Sequence, residues 1–506
     1  MGQPQPDMGG MKLKVARTLK WNVIDKVASQ LLYALTGLIL ANMLSPAEFG
    51  VVGAILVFQA FASLFVDSGF SYALIQRKSP TDLDYSTVLW FNMGMAGVVY
   101  VGLWFAAPWI MTLFKDAPEE LVPLSRVMFL TFILNGSAIV QTNRLMKRMD
   151  VKMVAVSNSL GLFAGAIVGI GLALLGYGAW ALVWQAVAVA AVKSGVLWLT
   201  GKWVPMLRFS WRALKSFLGV GMGMAMTSFL NTLFQNIYSY FIGNKVGVTS
   251  LGYYTQADKW SKMGISSLSA VITSSFLPVL AEYQDDAKKF ASATAKMNRF
   301  TSYLLFPAMG MLILMAEPIF HTLFGTKWDA SVALFQLLLV RGIFTVLTQL
   351  YANYVLALGR AKLNVHIELL RDGIALLAIF ITLPYIALAP AMDITLGVRI
   401  FIMGQVVASA VAWIVTLFIA ARLSRRSWSE YLTDSLPYMM LTVLILVPMW
   451  YESRLISAAW VLCLVQGVTG IVLYMLANKM LGSKIQSDAI AYFMHRGKKN
   501  LSFVES

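Results

Sequence analysis

Residues 21–77 read WNVIDKVASQLLYALTGLILANMLSPAEFGVVGAILVFQAFASLFVDSGFSYALIQR. Two apolar runs, residues 21–42 and 49–70, flank a tight Ser45-Pro46-Ala47-Glu48 corner, and each is long enough to cross a bilayer as a helix. The pair reads as a transmembrane hairpin. Basic residues precede it (Lys12, Lys14, Arg17, Lys20) and follow it (Arg77, Lys78), and none sits in the corner, so both ends are expected on the cytoplasmic side. Asp25, Lys26 and Asp67 lie inside the runs. An ionisable group in a spanning helix is costly unless it faces a partner or a wet cavity, which makes these three candidates for coupling, gating or binding.

The same reading extends along the whole chain of 506 residues. It is 58% hydrophobic, 13% charged and has a mean hydropathy of +0.71, about half the charge of a soluble protein. This composition specifies an all-α polytopic membrane protein. Further apolar runs at 86–111, 121–142, 154–175 and 179–200 complete six spans (21–200) behind a basic N-terminus (1–20). A basic linker at 201–213 precedes six more spans within 214–421, at 214–243, 251–280, 300–324, 331–358, 365–388 and 397–421. Two C-terminal spans follow within 422–478, at 436–450 and 456–478, and a tail occupies 479–506. About fourteen helices are expected.

The basic residues test this arrangement. Of 40 Lys and Arg, 28 fall in loops and tails of one side, 5 in those of the other and 7 within spans. That asymmetry places both termini in the cytoplasm. The net charge of +16 is spread over every second loop rather than gathered on one element, so its expected partner is anionic membrane lipid and not nucleic acid. Residues 1–10, MGQPQPDMGG, read as disordered or as lying upstream of a start at Met11. The first run is too long for a signal-peptide core and no small-residue cleavage site follows it, so it is expected to stay as an anchor. Cys463 is a lone cysteine, which excludes an internal disulfide, and the three histidines show no metal-ligand spacing. Phosphate-loop, nucleophile-elbow and catalytic-carboxylate signatures are absent and the outer loops are short, which argues against an enzyme. The charged inner stretch 281–299, with Phe290, Ala293 and Met297 on one face, reads as an interfacial amphipathic helix.

Depth along each helix ranks the buried charges, at 1.5 Å per residue. Arg341 and Lys262 both approach the midplane, and Lys259 lies one turn from Lys262 on the same face. Such a cationic lining suits phosphate or pyrophosphate, which arginine binds with two parallel hydrogen bonds. Lys26, opposite Asp67 at similar depth, fits the same lining or a salt bridge that pairs or gates the first two spans. Asn231, Gln235 and Asn236 are a polar set that lipid does not tolerate and that suits sugar hydroxyls. Glu368, Arg371 and Asp372 form either a structural ion network or, with Asp25 and Asp67, a coupling site for a proton or sodium ion; no other cofactor is expected.

Several stretches resemble a known family: LANMLSPAEFGVVG (40–53), FVDSGFSYALIQRK (65–78), DYSTVLWFN (84–92), GYGAWALVWQ (176–185), LGYYTQA (251–257) and FLPVLAEYQDD (276–286). They look like the Wzx-type polysaccharide and lipopolysaccharide exporters of the multidrug/oligosaccharidyl-lipid/polysaccharide (MOP) superfamily, similar to those for colanic and teichuronic acids. The resemblance implies a MATE-like fold of two six-helix lobes. It further implies a flippase that moves undecaprenyl-pyrophosphate-linked oligosaccharide across the bacterial inner membrane by alternating access, beside glycan polymerase or ligase machinery. No individual residue is carried over from the family. A cation-coupled drug exporter of the same fold is the alternative, but it favours an acidic cavity where the deep charges here are mainly basic. A catalytically silent scaffold for glycan-synthesis enzymes is a third reading.

Overall fold

The computed structural model describes residues 8–67, 69–388 and 395–487, without the side chains of 8–17, 19, 67, 72, 218, 220–222, 224 and 270–279. Residues 1–7 of the irregular leader, the tail beyond 487 and the side chain of Asp67 therefore lie outside the described residues. Those that are described form helices with no strand among them. Each of the fourteen apolar runs falls on a helix or on a broken pair of helices. Ten are long and apolar enough to cross a membrane, and an eleventh is a pair bent by 61°.

The chain divides into two compact units, 1–252 and 253–506. The first contains α1 (Met8–Met43), α2 (Pro46–Asp67), α3 (Phe70–Gln76), α4 (Asp82–Thr112), α5 (Leu121–Met128), α6 (Leu130–Lys147), α7 (Val151–Leu174), α8 (Ala179–Gly201) and α9 (Trp211–Lys245). Here α7 packs on α8 and α1, α6 bridges α4 and α8, and α9 lies against α2, α3 and α4. Local signals start these helices. Thr81 and Asp84 form a reciprocal capping box at α4, and Ser210 caps α9 through the Ala213 amide. The segment 202–210 is fastened down rather than loose: Trp203 is buried against Tyr85, its indole donates to Asp82 Oδ1, and Trp90 Nε1 donates to the Met206 carbonyl at 2.7 Å.

Charges at this end of the unit are answered in place. Arg77 pairs with the buried Asp84 at 3.3 Å and lies over Phe217, while Arg144 stacks on Trp203 and Tyr85. Lys147 Nζ donates to the Leu74, Ile75 and Arg77 carbonyls that α3 leaves unpaired at its C-terminus. At the other end, the α4–α5 turn and the turn that follows α9 are laced together by Lys115 N to Gly243 O, Val248 N to Lys115 O, and Asn244 Nδ2 to Leu113 O. There Gly50 and Gly252 let two backbones touch. A Cβ on Gly50 would overlap the Val248 carbonyl oxygen, and one on Gly252 would overlap that of Pro46.

The second unit holds α10 (Val248–Glu282) from Tyr253 onward, α11 (Ala287–Leu314), α12 (Ala316–Leu323), α13 (Asp329–Ala357), α14 (Ala361–Thr382), α15 (Leu396–Leu423), α16 (Trp428–Leu455) and α17 (Ala459–Met480). Its principal contacts are α13 with α15, α11 with α16, α14 with α15 and α16 with α17. Residues 287–299 are not a separate interfacial helix. Asp286 caps the Lys288 and Lys289 amides, bonds that hold its own carboxyl below the usual range, and α11 then runs unbroken to Leu314. Phe290, Ala293 and Met297 belong to its first turns and are buried, and the two turns beyond them face α16.

That face carries a polar cluster. Asp434 accepts from Arg299 Nε at 2.6 Å and from Arg426 Nη2 at 2.7 Å, and Arg426 also lies over Tyr431. Burial alone would lower the Arg426 pKa, but the hydrogen bond and charge of Asp434 raise it overall. Asn298 donates to the Tyr431 carbonyl and accepts from Tyr351 Oη; Tyr431 Oη meets Ser424 Oγ at 2.7 Å. The cluster fixes α11, α13 and α16 together.

Two stability predictions follow from these contacts. Gly50→Ala or Gly252→Ala forces overlap with a carbonyl and should lower stability by about 1–3 kcal/mol, whereas Gly94→Ala and Gly97→Ala, which enter open space within α4, should leave it equal or higher. Apparent melting temperatures in detergent, compared in one lipid batch, read the contrast. Asp434→Asn leaves the buried Arg426 only the exposed Glu430, 3.2 Å from its Nε, as counter-charge and should cost on the order of 3 kcal/mol; Arg299→Gln, at a half-exposed partner, should cost clearly less by the same assay.

Candidate substrate-binding groups in the two units

In the first unit, α2, α6 and α9 enclose a cavity of about 300 Å³. Its polar lining is Gln59 and Ser63 from α2, Asn135 from α6 and Ser228 from α9, with no charged side chain among the described lining residues. Gln59 Nε2 donates to Thr131 Oγ1 at 2.9 Å, and its Oε1 is buried without a partner among the described residues. The lining residues of α9 are Ala225 and Ser228, spaced three apart. Asn231 and Gln235 continue that helical face, and Gln235 Nε2 donates to Asn231 Oδ1 at 3.0 Å. Asn236 turns away and donates to the Thr232 carbonyl. The sequence reading found the α9 amides but missed Gln59 and Asn135, whose signal was a single amide inside an otherwise apolar run.

Elsewhere in this unit Asp25 is half-buried between α1 and α7. It accepts from Asn158 Nδ2 at 3.1 Å and from Ser29 Oγ at 3.2 Å, and Lys193 on α8 feels its charge. Lys26, one residue on, points outward and is exposed. Asn158 was not singled out from sequence, because an amide ligand to a carboxylate 133 residues away leaves no local pattern.

In the second unit α10 and α13 run side by side. Ser331 Oγ donates to the Tyr253 carbonyl, and further along Gly342 lies against Ile265 so closely that a Cβ there would overlap its Cδ1. Both helices advance by eleven or twelve residues between these contacts, so they are parallel and in register, and Arg341 and Lys262 occupy the same level. Lys259 lies one turn nearer Tyr253, over the Trp260 ring at 5.5 Å. Lys262 Nζ pairs with Asp258 Oδ2 at 2.6 Å. Arg341 differs from both lysines. Its Nε is buried and has no hydrogen-bond partner among the described residues. Asp372 pairs with Arg371 at 3.2 Å, and Glu368 is exposed on α14.

These groups differ in chemistry. The first unit offers uncharged amides and hydroxyls around a half-open cavity, which match the donors and acceptors of a polyol. The second offers a guanidinium whose buried Nε is unbonded among the described residues, with two lysines at the same level or one turn away, which matches a diphosphate or carboxylate.

The family model described as "Polysaccharide biosynthesis protein" matches residues 39–333. The chain is 28% identical over 332 residues to the succinoglycan biosynthesis transport protein ExoT of Rhizobium meliloti, covering 65% of this chain and 67% of that one. Its fold is similar to that of the lipid II flippase MurJ in an inward closed conformation, with a TM-score of 0.68 at 15% identity over 93% of this chain and 99% of that one. It is similar also to an inward-facing multidrug resistance MATE family transporter of the MOP superfamily, with a TM-score of 0.59 at 19% identity over 80% of this chain and 99% of that one. An all-helical chain with many membrane-spanning helices, a fold shared with MOP-superfamily transporters, and a family match across more than half its length identify it: the chain belongs to the polysaccharide biosynthesis protein family.

Proposed function

We propose that the protein is a flippase for lipid-linked oligosaccharide, carrying repeat units from the inner to the outer leaflet of a bacterial cytoplasmic membrane during surface polysaccharide synthesis. The observation that carries this reading is Arg341. A guanidinium in the middle of a spanning helix, with its Nε buried and unbonded within the described protein, is costly unless an anion completes it. The diphosphate of a polyprenyl-linked glycan is such an anion. Lys262, released from Asp258, and Lys259 add charge at the same level; the first unit, taken by itself, offers Gln59, Ser63, Asn135, Ser228, Asn231 and Gln235 as hydrogen-bonding groups of the kind sugar hydroxyls need. ExoT is named for succinoglycan transport and MurJ for flipping lipid II, which supports a glycan cargo and a translocation step without a chemical reaction.

The remaining assignments belong to the same proposal. The protein crosses the membrane fourteen times, in six plus six spans and a C-terminal pair, with both termini in the cytoplasm; the matching of each apolar run to a helix and the 28-to-5 basic asymmetry support this. Exposure alternates between the two sides. Asp25, held by Asn158 beside Lys193, is the best-placed carboxylate for a coupling proton or sodium ion, whereas Arg371 and Asp372 serve as a structural pair. Glycan polymerase or ligase machinery receives the product.

Two measurements test these statements. In membrane vesicles or in the native host, Arg341→Ala should reduce outer-face exposure of the lipid-linked glycan at least about tenfold, the effect of one lost charge-assisted bond, with the glycan lipid accumulating inside; Arg341→Lys should retain part of the activity and Gln59→Leu should lose less. Unchanged exposure in Arg341→Ala would remove the central claim. In a Cys463→Ser background, cysteines at Ser45 and Asp116 should react with an impermeant maleimide applied outside, and cysteines at Ser79 and Ser427 should not; the reverse pattern would invert the topology.

A further inference from the structure

The second unit holds a larger cavity that the groups above do not use. At the α11–α12 junction the chain bends by 61°, which turns carbonyl oxygens out of the helical ladder. Gln336 on α13 meets one of them, donating Nε2 to Ile313 O at 2.9 Å. The α16–α17 corner packs over this bend and encloses about 560 Å³, within the range of small-molecule sites. By the orientation proposed above, this end of the helices faces outward.

We propose that this cavity is a second carbohydrate site, taking a neutral hexose unit of the glycan on the outer side of the membrane. The proposal rests on the flippase reading for its cargo and its orientation. A pyranose presents apolar C–H faces and a rim of hydroxyls, so its site needs an aromatic surface together with acceptors and donors at the edge. Trp450 supplies the aromatic surface: it lines the cavity, is half exposed, and carries the Arg454 guanidinium 4.8 Å from its ring centre. Gln466 supplies the acceptor. It is only 1% exposed, its Nε2 is spent on the Met449 carbonyl at 2.7 Å, and its Oε1, buried on the cavity wall, has no partner among the described residues. An amide oxygen left so is costly, and a sugar hydroxyl would satisfy it.

Glu317 and His321 stand four residues apart on one face of α12, both on the lining, and His321 Nε2 is held by Asp329 Oδ1 at 2.8 Å. Two carboxylates against one exposed arginine disfavour a phosphate or a uronate and favour an uncharged sugar. An interfacial aromatic belt accounts for Tyr451 and Trp460, exposed at the same corner. It does not account for a tryptophan turned into a cavity beside a buried, unbonded amide.

Saturation-transfer NMR on the full-length protein in lipid nanodiscs, with cellobiose and lactose as probes and glucuronic acid as the charged comparator, tests the site. Saturable binding of a disaccharide with a Kd on the order of 1 mM is expected, weaker for glucuronic acid. Trp450→Ala and Gln466→Leu should each weaken it about tenfold or more, Trp450→Phe should keep part of it, and Gly94→Ala, whose added methyl enters open space on α4, should not change it. Absence of saturable binding to the wild type, or binding that survives both Trp450→Ala and Gln466→Leu, would overturn the proposal. Translocation of lipid-linked glycan by the same preparation separates the two readings. A wild type that flips its cargo but binds no disaccharide removes this site alone, and one that does not flip removes the function on which it rests.

Discussion

Inside hydrocarbon a charged or hydrogen-bonding group has no water to fall back on, so each must be met by protein or by cargo. The two units of this protein follow that constraint closely at the ends of their helices. In the first, Arg77, Arg144 and Lys147 are spent on Asp84, on aromatic rings and on the open carbonyls of α3. In the second, Asp434 takes two arginines at once while Asn298, Tyr351, Tyr431 and Ser424 close a chain of hydrogen bonds beneath them. Arg341, Gln59 and Gln466 each keep a buried polar atom unbonded within the described protein, and Gln59 and Gln466 do so on the lining of a cavity.

The motifs that tie the chain to its family have structural rather than chemical work in the first unit. SPAEFG and the start of LGYYTQA meet at Gly50 and Gly252, where backbone rests on backbone. DYSTVLWFN begins with the Asp84 that caps α4 and answers Arg77, and its Ser86 and Thr87 hydroxyls receive the Met206 and Ser210 amides of the α8–α9 connection. GYGAW closes the α7–α8 turn, with positive φ at Gly176 and Gly178 that a side chain would strain.

The long helices outside the ten most apolar are also instructive. α14 carries Lys362, Glu368, Arg371 and Asp372, α10 carries Asp258, Lys259 and Lys262, and α9 carries four amides. A helix that gives up apolarity gains a polar face, and most of the candidate binding residues sit on these three. The C-terminal pair α16–α17 adds a different element. It covers the bend between α11 and α12 and so turns a helix break into a walled cavity.

Hydropathy settled the class and the helical runs, because burial in lipid demands about 20 apolar residues per crossing regardless of partners. Family motifs supplied the fold, and depth counting alone put Arg341 and Lys262 at one level, since helical rise is constant. Pairing between helices was not legible. The four-residue spacing offers Asp258 to Lys262, but nothing local says that Arg341 Nε stays unbonded among the described residues, that Asp25 takes Asn158 from α7, or that residues 287–299 continue into α11 instead of lying on the membrane surface. Those outcomes depend on which helix faces meet, and a face is chosen by packing across more than a hundred residues of chain; only the tertiary structure decides it.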